Sequence, residues 1–213
     1  MANLIGARIE RKEDKKFLTG KGCYTADINL ARQTYACFVR SPHARAKINK
    51  VDISKASKAP GVVKILTGED LAKDKIGGLI AGWKIVSQDG KDMKIPPHPA
   101  LAKDSVNFVG DHVAVVIAET LENAKNAAEQ VNVNYKIQKA VINATDATSF
   151  ENIHESIDNN LCFDFLLGDK GKTEEAFSKA DKVVKLDIVN NRLILMQWNL
   201  ELLLVTIIHL QNN

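Results

Sequence analysis

An α+β fold is what this sequence predicts for residues 1–140: a mixed sheet with two or so helices packed on it. Three observations carry the prediction. Short apolar or alternating runs, at 35–39, 47–53, 62–66, 112–118 and 131–137, are bounded by turn chemistry as strands are. Helical periodicity is confined to short stretches between them, the clearest being the stripe Leu121, Ala124, Ala127, Ala128 and Val131. The 213 residues are 45% hydrophobic and 26% charged, which suits a folded globular chain with room for one domain and part of another.

Residues 5–28 are polar and broken by glycines. Gly20-Lys21-Gly22 has neither the spacing nor the strand–loop–helix setting of a phosphate loop, so these are turn glycines. In the first strand Tyr35, Cys37 and Val39 share a face. Ser41-Pro42-His43 then forms a tight turn, because Pro42 fixes its own φ and pushes Ser41 out of the helical region. Residues 47–53 make the return strand. Ser54 is the expected N-cap of a short helix, which Pro60-Gly61 stops before the buried strand at 62–66.

Gly77-Gly78, Gly82, Gly90, Pro96, Pro97 and Pro99 break every periodic pattern, so 72–99 is a surface excursion with one short strand at 83–86. HVAVVIA, at His112–Ala118, is continuously apolar and should be the most buried strand. Thr120 caps the helix that carries the alanine stripe, and 131–137 alternates as a strand. Polar residues 141–160 read as a linker. Beyond it come a strand at 161–168, a helix at 173–180 capped by Thr173, and a half-buried strand at 182–190.

The same residues exclude several functions. A net charge of +3 is too small to argue for nucleic acid or a membrane surface. Cys23, Cys37 and Cys162 are far apart and form no C-x-x-C, so reduced, mostly buried thiols are expected rather than zinc or an iron–sulfur cluster. His43 has no second ligand at helical or hairpin spacing, and a structural or solvent-facing role follows. The N-terminus has no apolar core or cleavage site of a secretory signal, so a cytoplasmic chain is expected. The longest apolar stretch, 200–210, contains Glu201, Thr206 and His209 and is too short to span a bilayer.

Several motifs in one order carry a resemblance. They are RKEDKKFLTGKGCYTADI, FVRSPHARAKI, APGVVKILTGEDL, PALAKDSVNFVGDHVAVVIAET and LCFDFLLGDKGKTEEAF with KLDIVNNRLI. From Ile5 to Ile194 the chain resembles the N-terminal hammerhead region of molybdenum hydroxylase large subunits. That family includes xanthine dehydrogenase, aldehyde oxidase and aerobic carbon-monoxide dehydrogenase, and 161–194 looks most like the last of these. The departures are small: Ala26-Asp27 stands where two acids usually follow Tyr24, and His112 where the family often has Pro.

The resemblance implies a hammerhead-type domain at 1–140, a linker at 141–160 and, at 161–194, the start of a domain that holds a molybdenum–pterin cofactor. It also implies partner subunits carrying iron–sulfur clusters and FAD. The family's glutamate base and its copper-holding cysteine lie beyond the matching stretch, so no catalytic, cofactor-binding or metal residue is carried over. An inactive N-terminal fragment is expected; a free-standing interaction module that docks on partner subunits is the alternative. Carbon monoxide, an aldehyde and an N-heterocycle all stay open as substrate.

Residues 195–213 depart from the family, which continues after NNRLI with something close to PNAMEPRAAIG. The 23 Lys against six Arg suggest an AT-rich coding sequence. An AT-leaning coding of IPNAMEPRAAIG that loses one C from its proline codon reads ILMQWNLELLLV, which is 194–205 without a mismatch. Met196 and Trp198 each have a single codon, which constrains the match. A frame-shifted tail is therefore expected. The helical spacing of Leu200, Leu203 and Leu204 would also suit a real helix.

Overall fold

The computed structural model describes Gly6 and residues 10–190. The tail at 195–213 lies outside the described residues. The chain divides into two compact units, one of residues 1–33 with 184–213 and one of residues 34–183.

In the first unit a short helix, α1 (Asp14–Leu18), ends at Gly20, whose φ of +69° suits a residue without Cβ. Phe17 stacks on Tyr24 with ring centroids 5.4 Å apart. A Cβ on Gly22 would meet the Phe17 ring at 2.6 Å, so glycine is needed for that stack to form. The two glycines of Gly20-Lys21-Gly22 thus serve a helix end and an aromatic contact.

The second unit carries β1 (Tyr35–Arg40), β2 (Ala46–Asp52), β3 (Val62–Thr67), α2 (Gly68–Lys73), β4 (Ser105–Val106), β5 (His112–Ala118), α3 (Leu121–Ala128), β6 (Asn132–Ile137) and α4 (Lys170–Lys179). The α+β class holds. The expected mixed sheet is realised as two three-stranded sheets, β1-β5-β3 and β4-β2-β6, and every pairing within them is antiparallel. β1 and the return strand β2 do not form a hairpin. The turn at Ser41-Pro42-His43 instead carries the chain from one sheet to the other.

β5 is the central strand of its sheet, and Val113, Ala114, Val116 and Ala118 in it are fully buried. Strand alternation sends Val113 and Val116 to opposite faces. Val116 packs with Ile65, Ala56 and Ala127 of α3, and Val113 packs with Ala46, Ala102 and Val106 beside the second sheet. Ala124 and Ala127 are fully buried, as the stripe required, and Ala128 is half-buried. Thr120 caps α3 as expected, its side chain accepting from the Asn123 N–H at 3.1 Å.

Several local expectations are corrected. Ser54 caps nothing: its N–H donates to Asp52 Oδ1 at 3.0 Å, and the 3-10 turn Ala56–Lys58 starts from Lys55 without a side-chain cap. The Asx turn competes successfully for the same backbone. The strand at 83–86 reduces to a single bridge, Val86 to Asp92, with Trp83 exposed. No strand forms at 161–168. Its backbone makes interrupted bonds to the preceding excursion, Gln88 N–H to Asp164 O and Lys94 N–H to Cys162 O, both 2.9 Å.

α4 begins before Thr173. Asp169 is its cap, accepting from the Lys172 N–H at 3.0 Å, and Thr173 bonds back to Asp169 O. No strand forms at 182–190 either, and Val184, Leu186 and Ile188 are exposed. Alternation alone does not make a strand when no neighbour supplies the ladder. The thiols are free, but Cys23 is exposed, and Cys37 and Cys162 are only half-buried.

Ala127 sits against Val116 with no room for growth, so Ala127→Leu should lower the unfolding free energy by about 1–3 kcal/mol through overpacking. Ala128→Leu should cost much less. Urea denaturation of both variants reads the difference.

Candidate functional site

Two stretches that stand out in the sequence meet in space. The Ser41 N–H donates to Asp111 O, and the Gly110 N–H donates to Ser41 O, both at 2.8 Å. Gly110 reaches this arrangement at φ +93°, a region that disfavours any side chain. The Asp111 carboxylate accepts from the Asn107 N–H at 3.1 Å, and Arg40 donates to Gly110 O at 3.4 Å. FVRSP and VGD are therefore two halves of one corner, where β1 ends and β5 begins. Ser41, only 2% exposed, folds its hydroxyl onto the His43 N–H at 3.0 Å.

His43 is half-buried and meets the Tyr135 ring edge-on at 5.0 Å, the structural role expected of it. Burial pushes the Tyr135 phenol above its usual pKa. His112 stacks on Phe38 with centroids 4.6 Å apart, and its Nε2 is buried without a hydrogen-bond partner among the described residues. Burial, then the positive charge of Arg40, holds its imidazole below the ordinary histidine range.

Arg45 is a residue that pattern reading missed. It is only 9% exposed, and its guanidinium donates to Lys139 O at 3.2 Å and Asn152 O at 2.9 Å. It ties β2 to residues 139–152. Asn160 then organises the rest of that segment. Its side-chain oxygen accepts from the Ile153 N–H at 2.7 Å, and its amide donates to Ala147 O at 2.8 Å. Arg45 stands in the bend just before β2, and no local pattern marks it as buried. Nothing in the sequence marks Asn160 among its many neighbours of the same type.

Beside the corner lies a cleft of about 430 Å³. Leu79, Ile95, Pro97 and Phe108 give it apolar walls, and His98, Asp111 and His154 reach its lining. One wall is built by close backbone approach: the Leu79 N–H donates to His98 O at 2.8 Å, and a Cβ on Gly78 would lie 2.4 Å from that oxygen. Burial, and behind it Arg45, keeps the His154 imidazole below its usual range. The Asp111 carboxylate accepts from the Asn107 N–H through Oδ2. Among the described residues no three His, Cys, Asp or Glu side chains converge as a metal centre requires. The chemistry on offer is the enclosure of an apolar group.

The family model for the aldehyde oxidase and xanthine dehydrogenase a/b hammerhead domain matches residues 19–139. The large subunit of nicotine 6-hydroxylase from Paenarthrobacter nicotinovorans is 35% identical over 189 residues, covering 85% of this chain and 22% of that protein. The carbon monoxide dehydrogenase large chain of Afipia carboxidovorans is 31% identical, over 85% of this chain and 23% of that one. Among solved structures, the Cu,Mo-CO dehydrogenase in its carbon monoxide reduced state is similar with a TM-score of 0.66 at 29% identity, over 83% of this chain and 23% of its own. Quinoline 2-oxidoreductase from Pseudomonas putida 86 gives 0.61 at 33%, over 69% of this chain and 18% of its own. The chain thus spans about a fifth of the length of the relatives it matches.

Arg45→Ala should destabilise the unit by about 1.5–3 kcal/mol, because two carbonyls lose a charged donor. It should also open residues 139–152 to limited proteolysis. Arg45→Lys should recover part of the stability, since one ammonium reaches one carbonyl but not both.

Proposed function

The chain belongs to the aldehyde oxidase and xanthine dehydrogenase family by its hammerhead domain, and from that premise we propose that it is the N-terminal part of the large, molybdenum subunit of an oxidoreductase. The single observation that carries the reading is the 35% identity to a hydroxylase large subunit across 85% of the chain. In this reading residues 1–140 are the hammerhead domain, 141–160 a linker and 161–194 the start of the cofactor-binding domain. The tail at 195–213 is a frame-shifted stretch without selected function. The substrate is carbon monoxide, an aldehyde or an N-heterocycle, and the partners are an iron–sulfur subunit and an FAD subunit in the cytoplasm. Among the described residues no helix is long and apolar enough to cross a membrane.

In this reading the chain alone holds no molybdenum–pterin cofactor and turns over nothing. The cleft beside the Ser41–Asp111 corner does not fit that group. The cleft has no Lys or Arg in its lining, whereas a phosphate-bearing pterin calls for such donors. The hammerhead domain then acts as a scaffold on which the rest of a large subunit is built.

Elemental analysis of the purified chain should find molybdenum far below one atom per molecule, with no reduction of an electron acceptor by any of the three substrate classes. Near-stoichiometric molybdenum would overturn the reading. Size-exclusion chromatography with small and medium subunits separates the alternative: a stable monomer indifferent to both favours a free-standing module. The DNA tests the tail directly. The alternative frame after codon 194 should encode a MEPRA-like sequence, and its absence ends the frame-shift idea.

A further inference from the structure

His112 opens β5, next to Val113 of the core beside the second sheet. Its carbonyl accepts from the Ala102 N–H at 2.6 Å, and Ala102 belongs to the core beside the second sheet with Val106 and Val113. Its ring lies on Phe38, and Nε2 has neither solvent nor a partner among the described residues. Three charged or titratable groups face the ring. Arg40 is opposite it in the β1–β5 register, Asp111 precedes it, and His98 lies on the segment before β4. The carboxylate of Asp111 accepts from the Asn107 N–H, and its negative charge favours the protonated ring, against burial and Arg40, which outweigh it. With the neutral proton on Nδ1, protonation would place a second N–H on the buried Nε2, which has no acceptor among the described residues, and a second positive charge beside Arg40.

We propose that His112 makes the junction between the two sheets acid-labile, so that protonating its ring releases the segment around Ala102 from β5 while α3 stays packed on Val116. The neutral ring is the form the folded protein prefers, which fits its lowered pKa. The stability this contributes is complete above the unfolded value of about 6.5 and is lost as pH falls below it toward the folded value. Release of Ala102 would loosen one wall of the cleft, because Ala102 lines it. His154, also held neutral by burial and by Arg45, adds acid sensitivity at the far side, so a local readout is needed.

The test is an NMR titration of the full chain combined with amide hydrogen exchange from pH 7 to pH 5. The His112 ring should titrate below 6.5. After correction for intrinsic rates, Ala102 protection should fall about tenfold relative to Val116. His112→Phe should abolish that difference, and His154→Gln should retain it. A ring that titrates at or above 6.5 overturns the proposal, as does an unchanged Ala102 response in His112→Phe or a parallel loss at Val116. If His112→Phe does not fold, Arg40→Gln takes its place: the ring should titrate closer to 6.5 and the Ala102 response should shrink. An unaltered titration in that variant also overturns the proposal.

Discussion

β5 needs an apolar layer along the face of Ala114, Val116 and Ala118, and a second one where Val113 is buried on the other face. Val116 turns toward α3 and Val113 toward the core beside the second sheet. This requirement explains the alanines of α3, which let the helix backbone come close to the sheet. The second sheet covers β5 only at its start, at Val113, while Val115 and Ile117 on the same face are half-buried. At about 25 cal/mol per Å² of apolar surface removed from water, these contacts are the main reason the second unit holds together.

The corner of Ser41, Gly110 and Asp111 sets where that strand begins. Two backbone bonds of 2.8 Å, a glycine at positive φ and an aspartate closing its own turn fix the end of β1 against the start of β5. The cleft and the His112 ring both lie beside this corner, so their geometry depends on it. Arg45 extends the order outward to residues 139–152, and Asn160 gathers the segment that follows. Segments without regular structure are held here by polar side chains placed on backbone carbonyls and amides rather than by apolar packing.

Much of this protein was legible from its residues alone. The apolar run His112–Ala118, the alanine stripe and the Thr120 cap are local patterns, and each took the expected place because period and capping chemistry are short-range properties. The family was legible for the same reason, through motifs that keep their order along the chain. Tertiary structure decided what local pattern leaves open. It separated β1 from β2, because strand pairing depends on which neighbours are within reach. It denied strands to 161–168 and 182–190, whose alternation found no ladder. It also made Arg45 and Asn160 into anchors, since the carbonyls and amides they bind come from segments that only the folded chain brings near.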